Sequence, residues 1–334
     1  MPDNVSLTVG GQIHEGWTAV TVVRSMEEPA GTFDLDLTDY WGETAPNRRS
    51  ISPGERCTLA VGGDTVITGY VDSVKPAYDA EKHTVKVTGR DAAADILDCQ
   101  NTIAPGAWKN LNLAQLASVL CAPFGIKVTR DTDVGRRFAN FKAQEGETVY
   151  EALERAARQR AVLVMSDGLG GIVLTRAKSA GAVAAFKGVP NGNILAAGGH
   201  FDHSQRFSRY VAKGQDGGDD WKSPEAIAHG KGEAVDGAVT RHRPRVIVAE
   251  DLGDDVTLQD RAEWERNVHA GRARRAQITV QGWRTGGETG ALLKPNTIVR
   301  LDDNWLNVHA DMLVVSVNLT ESDAGRICVL ELAI

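Results

Sequence analysis

The stretch TGYVDSVKPAYDAEKHTVKVTGRD, Thr68 to Asp91, reads as two strands joined by a short acidic turn, with a helix starting directly after it. It holds no catalytic pattern, so its meaning depends on its surroundings. Upstream, Cys57, Leu59 and Val61 alternate with Arg56, Thr58 and Ala60. Phe33, Leu35 and Leu37 alternate with Asp34, Asp36 and Thr38, and Val5, Leu7 and Val9 with Ser6 and Thr8. Alternation of period two puts successive side chains on opposite faces and marks half-buried antiparallel strands. The segments GG, EEPAG and SPG between them supply turn residues. Short strands at this spacing predict a small barrel or sandwich.

The pattern recurs near the C-terminus. SPGERCTLAVGGDTVITGYVDSVKPAYDAEKHTVKVTG can be set beside LKPNTIVRLDDNWLNVHADMLVVSVNLTESDAGRICVLELA. A proline opens each segment (Pro53, Pro295), and a short alternating strand follows (Cys57 to Val61, Thr297 to Leu301). Then come a polar turn (Gly62-Gly63-Asp64, Asp302-Asp303-Asn304) and a long strand containing an aspartate (Asp72, Asp311) and ending in a valine (Val74, Val317). The span from proline to valine is 21 positions in one copy and 22 in the other. An acidic turn follows (Asp79 and Glu81, Glu321 and Asp323), then a last strand (Thr84 to Val87, Ile327 to Leu330). Identity is low, and two unrelated meanders are the alternative. A true match means two copies of one small β-barrel.

The segments in between differ. From Asn112, the residues Leu113, Leu116, Ala117 and Leu120 form one helical stripe, with Asn112 and Gln115 spaced as a capping box. A second helix is expected from Thr148, with Glu151 three residues on and an apolar face of Val149, Leu153, Ala156 and Ala157. A hairpin, AVLVMS-DGLGG-IVLTRA, completes an α/β unit. Gly181 to Gly199 reads as a connector, FSRYVAKG as a strand, and residues 214–245 as a long loop rich in Gly, Asp and Lys. A charged helix is expected from Thr257 to Arg275, with Asp254 and Asp255 before it and Arg272, Arg274 and Arg275 at its end, as the helix dipole favours. The expected class is α+β: two similar small antiparallel β-barrels with inserted α/β and helical subdomains. The boundaries are 1–91 for the first barrel, 92–185 for the α/β unit, 186–213 with 276–334 for the second barrel, and 214–275 for the inserted loop and helix.

Composition narrows the function. A chain of 334 residues suggests about two to four domains. With 42% hydrophobic and 24% charged residues it can build cores. A net charge of −7 disfavours a protein that grips duplex DNA, which needs a basic footprint. The four cysteines, Cys57, Cys99, Cys121 and Cys328, form no C-x-x-C pair and are expected to be buried free thiols. The N-terminal residues lack the basic and apolar regions of a secretory signal, and no apolar run is long enough to span a bilayer, so folding in a cytoplasm is expected.

No residue is selected as catalytic, cofactor-binding or metal-binding. His200-Phe201-Asp202-His203 holds metal-ligand types, but no further Cys or His cluster completes it. DGLGG, Asp167 to Gly171, matches neither phosphate-binding glycine motif and reads as a turn. There is no G-x-S-x-G elbow. A glycosidase carboxylate dyad needs only proximity in space, so the sequence does not exclude one. The basic cluster GRARRA, Gly271 to Ala276, is expected to end a helix and pair with acidic residues of a neighbouring subunit rather than touch DNA. The seven tryptophans are irregularly spaced and read as core or interface anchors.

The segment PGERCTLAVGGDTVITGYVDSVKPAYDAEKHTVKVTGRDAAADILDCQ resembles the N-terminal signature of the baseplate hub proteins of Mu-like contractile-tailed phages. The resemblance is carried by G-Y-V-D (Gly69 to Asp72), the acidic turn, V-T-G-R-D (Val87 to Asp91) and the helix DAAADILD, and the later elements follow in the family's order. The family is similar in fold to the N-terminal part of type VI secretion spike proteins and to the late control protein of other phages. The resemblance implies a non-enzymatic, homotrimeric ring at the tail tip, assembled in the host cytoplasm, whose tandem barrels imitate a tube hexamer. Its implied partners are the tail tube protein above, a separate central spike protein below and baseplate wedge proteins, with DNA passing through a channel without sequence-specific binding. The overall negative charge is expected to extend to that channel's wall. A tail-associated cell-wall hydrolase or carbohydrate-binding component, and the core of a type VI secretion spike, are the alternatives.

Overall fold

The computed structural model describes residues 3–40, 51–80, 82–179, 181–214, 231–248, 255–287, 289–323 and 325–333. The chain opens with β1 (Val5–Val9), β2 (Gln12–His14), β3 (Ala19–Ser25) and β4 (Thr32–Tyr40), then the meander β5 (Arg56–Val61), β6 (Asp64–Tyr78) and β7 (Lys82–Asp91). After α1 (Ala94–Asp98) comes a mixed unit of β8 (Ala107–Leu111), α2 (Leu113–Cys121), β9 (Val128–Arg130), β10 (Phe138–Lys142), α3 (Val149–Arg158), β11 (Leu163–Ser166) and β12 (Ile172–Thr175). The strands β13 (Ala182–Lys187) and β14 (Ile194–Phe201) precede β15 (Arg209–Lys213), β16 (Lys231–Val235), β17 (Pro244–Val248) and α4 (Asp255–Ala273). The last strands are β18 (Arg274–Gln281), β19 (Ile298–Asp303), β20 (Val308–Ser322) and β21 (Gly325–Ala333). The class is α+β, dominated by strands.

One 13-stranded sheet holds both ends of the chain. Its first half runs β3-β4-β7-β6-β5-β1, and its second half runs β14-β18-β21-β20-β19-β13. The two orders match strand for strand. β5 and β19 each have 6 residues, and β6 and β20 each have 15. The ladders share an irregularity: β6 shifts against β7 between Val71 and Ser73, and β20 shifts against β21 between Val314 and Ser316. A bulge places one extra residue in a strand and re-aims everything after it. This aligns Val71-Asp72-Ser73-Val74 with Val314-Val315-Ser316-Val317. The counterpart of Asp72 is therefore Val315, not Asp311. The halves differ at their last strand, since β1 runs antiparallel to β5 while β13 runs parallel to β19.

Two similar small antiparallel β-barrels were expected, and among the described residues neither half closes into a barrel of its own. Instead the halves are stitched together where β20 pairs with β3, from Ser316 opposite Ser25 to Glu321 opposite Val20. They also share one core, in which Leu7, Leu35 and Leu59 of the first half and Ile278, Leu301 and Leu330 of the second are fully buried. Each such aliphatic side chain contributes about 1.5–3 kcal/mol on leaving water. The long strands β6 and β20 outreach their short partners β5 and β19; the extra length of β20 pairs with β3, while among the described residues no strand lies along that of β6 on the β5 side.

The mixed unit has its own core, which packs Leu113, Leu116, Ala117 and Leu120 of α2 against Val149, Leu153, Ala156 and Ala157 of α3. Both expected capping boxes form, Asn112 with Gln115 and Thr148 with Glu151. The expected connector, 181–199, forms β13 and most of β14. Its alanines and glycines show no apolar alternation, because its backbone is held by the ladders to β19 and β18. β15, expected in the second barrel, lies instead between β16 and β17 in a separate sheet covered by α4. Those two strands also occupy part of the expected loop. Residues 215–230, Glu81 and Asp254 lie outside the described residues.

Candidate assembly interface

The signature strands owe their residues to a close crossing. A Cβ on Gly69 would lie 1.9 Å from the Arg90 carbonyl oxygen. One on Gly89 would lie 2.4 Å from the Phe33 ring and from the Tyr70 carbonyl oxygen. Only glycine lets β6, β7 and the Phe33 ring come this near. Arg90 then bridges Asp72, at 2.7 Å, and Asp98 of α1, at 2.8 Å. Asp91 is 1% exposed, accepts hydrogen bonds from the Ala93 amide and the Ser166 hydroxyl, and so ties the meander to the mixed unit. Burial raises its carboxyl above the usual range, against the pull of those bonds and of Arg24. The motif G-Y-V-D … V-T-G-R-D is a structural joint.

The DGLGG turn is the other side of that joint. Asp167 accepts from the Leu169 and Gly171 amides at 2.7 and 2.9 Å, which closes the turn between β11 and β12. Gly168 sits at φ +78, and a Cβ there would be 2.7 Å from the Val66 carbonyl oxygen. The turn thus rests against β6. On the opposite side, Asn296 of the second half accepts from the Lys178 amide and donates to the Arg176 carbonyl. The mixed unit is held by both halves of the large sheet.

The basic cluster closes α4, with Arg272 in its last turn, and opens β18. α4 ends at Ala273, so Arg274 and Arg275 begin β18. Arg275 binds Glu331, at 2.9 Å, and Glu27, both within the same chain. Its ion pairs join β18 to β21 and to the loop after β3. Arg284 likewise joins Asp3, at 2.6 Å, and Asp64, at 3.0 Å, across the two halves.

The remaining candidates do not converge on a reaction centre. His200 lies in β14 opposite Arg275, while Asp202 accepts from the Ser204 amide and hydroxyl, which hold its carboxyl below the usual range. Among the described residues no group of three His, Cys, Asp or Glu is placed to hold a metal ion. Cys57, Cys121 and Cys328 are buried thiols pushed up to about 12 by burial, whereas Cys99, expected to be buried too, is exposed at the end of α1. A cleft of about 420 Å³ lies among α3, α4 and β20, lined by Tyr150, Trp264 and Val315. Asp91 and Asp95, the described carboxylates that burial raises, both lie outside it. Among the described residues no helix is long and apolar enough to cross a membrane.

What the surface does offer is strand edges and an uneven face. β14 is exposed from Leu195 to Phe201, and β6 from Lys75 to Tyr78. The face of the large sheet turned from the core carries Thr21, Thr88, Gln277, Thr279, Asn318 and Thr320. Charges on it are largely paired, as Lys86 with Asp34 at 2.7 Å and with Asp36 at 3.7 Å.

Comparison with known proteins gives this architecture relatives. Residues 4–91 match the family described as Mu phage baseplate assembly protein GpP-like, N-terminal. Residues 93–176 match the second domain of baseplate hub protein gp44-like, and residues 255–334 the fourth domain of the Mu baseplate assembly protein GpP. The baseplate hub protein gp44 of Escherichia phage Mu is 36% identical over 324 residues, which is 95% of this chain and 83% of that protein. The 43 kDa tail protein of prophage MuSo2 from Shewanella oneidensis is 37% identical, with a TM-score of 0.82 over 98% of this chain and 97% of that one. An E. coli component of the type VI secretion system shares the fold, with a TM-score of 0.60 at 10% identity over 98% of this chain and 76% of that one.

Proposed function

This chain belongs to the family of Mu-like phage baseplate hub proteins, structural components of the phage tail, and we propose that three copies of it form a ring between a six-fold tail tube and a three-fold spike. The observation that carries the proposal is the repeated strand order within one sheet. A chain with two like units presents six of them when three copies close a ring, so one body can offer six-fold contacts on one side and three-fold contacts on the other. Each half then serves as one barrel-like unit of the ring wall. The tube protein sits above, a separate spike protein below, and wedge proteins outside, in a baseplate assembled in the host cytoplasm.

The chain works by geometry rather than by catalysis. The polar, charge-paired face of the large sheet is suited to the channel wall. Hydroxyl and amide groups, with most of the face's cations held in ion pairs, give passing DNA a weak phosphate grip. This wall is nearer neutral than the net charge of −7 suggests.

Light scattering with two-dimensional particle averages tests the proposal. The expected result is a particle of three chains with a central hole and three-fold symmetry. A monomer at every concentration, or a ring of another symmetry, overturns it. Shared fold with the secretion component supports a second reading, the core of a secretion spike, and the neighbouring genes separate the two. Turnover of peptidoglycan by the purified chain would replace both with a hydrolase.

A further inference from the structure

The mixed unit meets both halves of the large sheet around a cavity of about 150 Å³. Each of the three bodies gives that cavity one cation. Arg24 comes from β3 in the first half, Lys178 from the chain just after β12, and Lys294 from the approach to β19 in the second half. Asp131 is the one carboxylate among its described lining residues, so the positive charges outnumber the negative there. The walls between them are polar. Ser166, Thr175 and Asn296 line the cavity, and the last two are buried. A polar cavity of this size holds water or an ion rather than staying dry.

Arg24 is the cation least provided for. Its guanidinium lies beside Gly168, where a Cβ would come 2.8 Å from Nη2, so the glycine of that turn leaves it room. Among the described residues it makes no ion pair, and Asp91 and Asp167 act on it only through space. Both carboxylates are already engaged, Asp91 by the Ala93 amide and the Ser166 hydroxyl, Asp167 by the Leu169 and Gly171 amides. Burial lowers the Arg24 guanidinium below its usual range in spite of them, which marks a cation with too little counter-charge. Donors of a half-buried guanidinium that find no acceptor cost free energy until one arrives. The two lysines are exposed, but the backbone at the mouth is fixed. Asn296, close in sequence to Lys294, accepts from the Lys178 amide at 2.9 Å and donates to the Arg176 carbonyl at 3.1 Å.

We propose that this cavity is a binding site for a small doubly charged oxyanion of the phosphate or sulfate type, which braces the mixed unit against both halves. Two oxygens of a tetrahedral anion match the two-pronged edge of the Arg24 guanidinium, and the flexible ammonium groups of Lys178 and Lys294 can close on the other oxygens from the mouth. A dianion balances three cations set against one carboxylate, which chloride does not. The three bodies are brought together only in the folded chain, so the anion stabilises that state by mass action. The site lies within one chain and stands apart from the ring reading.

Titration calorimetry of the full chain with sodium phosphate, at constant ionic strength, tests the site. One phosphate should bind per chain and saturate, sulfate should compete for it, and chloride should not. The thermal midpoint should rise and level off as the site fills. Lys178→Gln with Lys294→Gln removes two exposed charges at the mouth, and should weaken uptake by at least about tenfold and abolish the plateau. Lys82→Gln with Lys213→Gln removes the same charge from exposed strand positions outside the cavity, and should leave both readings unchanged. Arg24→Gln should abolish uptake. Because Arg24 also lies in the joint, the lysine pair on exposed positions is the deciding variant.

A parent chain that shows no saturable uptake overturns the site, and its cavity then holds water. Equal uptake by the parent and by Lys178→Gln with Lys294→Gln places the anion elsewhere and overturns it too. A midpoint that rises without levelling, alike in every variant, reports exclusion of the salt from the whole surface and has the same consequence. Equal losses in the two lysine pairs would show attraction by net charge alone, which also overturns it. A chain that stays monomeric yet takes up one phosphate supports the site and counts only against the ring.

Discussion

At the scale of single residues, the chain spends its unusual choices on joints. Gly69 is the sharpest case, because an alanine there would put its Cβ 1.9 Å from a backbone oxygen that no side-chain rotation can move. Gly69→Ala should cost at least about 1–3 kcal/mol, read as a lower urea midpoint. Asp91 gives a pH signature. An unfolded aspartate titrates near about 3.9, and burial raises the folded value. Between the two, the folded chain holds the extra proton, so stability falls as pH rises through that window and then levels off. Asp91→Asn keeps an acceptor for the Ala93 amide and does not titrate. The variant should gain on its parent from about pH 4 toward neutrality in a urea series, and a constant difference would refute this account. Glu147 has the opposite sign. Burial works to raise its carboxyl, but hydrogen bonds from Arg155 and the Gln144 amide bring it below the usual range, so its contribution is lost as pH falls.

At the scale of elements, legibility followed periodicity. α2 and α3 were readable because their apolar stripes and capping pairs lie within a few residues of each other. Thr148→Ala should lower stability by about 1 kcal/mol, measured by thermal or urea unfolding, because it orphans the Glu151 amide. β13 and β14 were not readable. Strands of alanine and glycine are defined by the ladders they join, and those partners lie about a hundred residues away. The placement of β15 failed for a related reason: RYVAK is a strand in any setting, and only its neighbours decide which sheet it enters. The bulge lies in V-D-S-V of one half and V-V-S-V of the other, where the aspartate of the first has a valine, Val315, as its counterpart, so acidic residues are no guide to the register.

At the scale of the whole molecule, the repeat governs function. The two halves match in strand order, in long-strand length and in bulge position, yet they share one core instead of closing separately. The polar face of the sheet predicts that the assembled protein does not retain duplex DNA. An electrophoretic shift at physiological salt should be absent, and a shift that weakens steeply with added salt would show a basic wall instead. The assembly role rests on shape, so no single side chain announces it in the way a catalytic triad announces an acyl transfer.

The sequence by itself determined which segments are strands and helices wherever their patterns are local, that the first meander returns near the C-terminus, and which family the chain resembles. Those signals are carried by side chains a few positions apart, or by a run of residues long enough to compare with another run. The tertiary structure alone decided that the two meanders share a sheet, that Arg275 and Arg284 bind within the chain, and that Gly198 lies on an edge along which no described strand runs. These are relations between residues tens to hundreds of positions apart, made by backbone hydrogen bonds that any residue type except proline can supply. Side-chain pattern carries no record of such a partner, so it comes into view only when the strands are laid side by side.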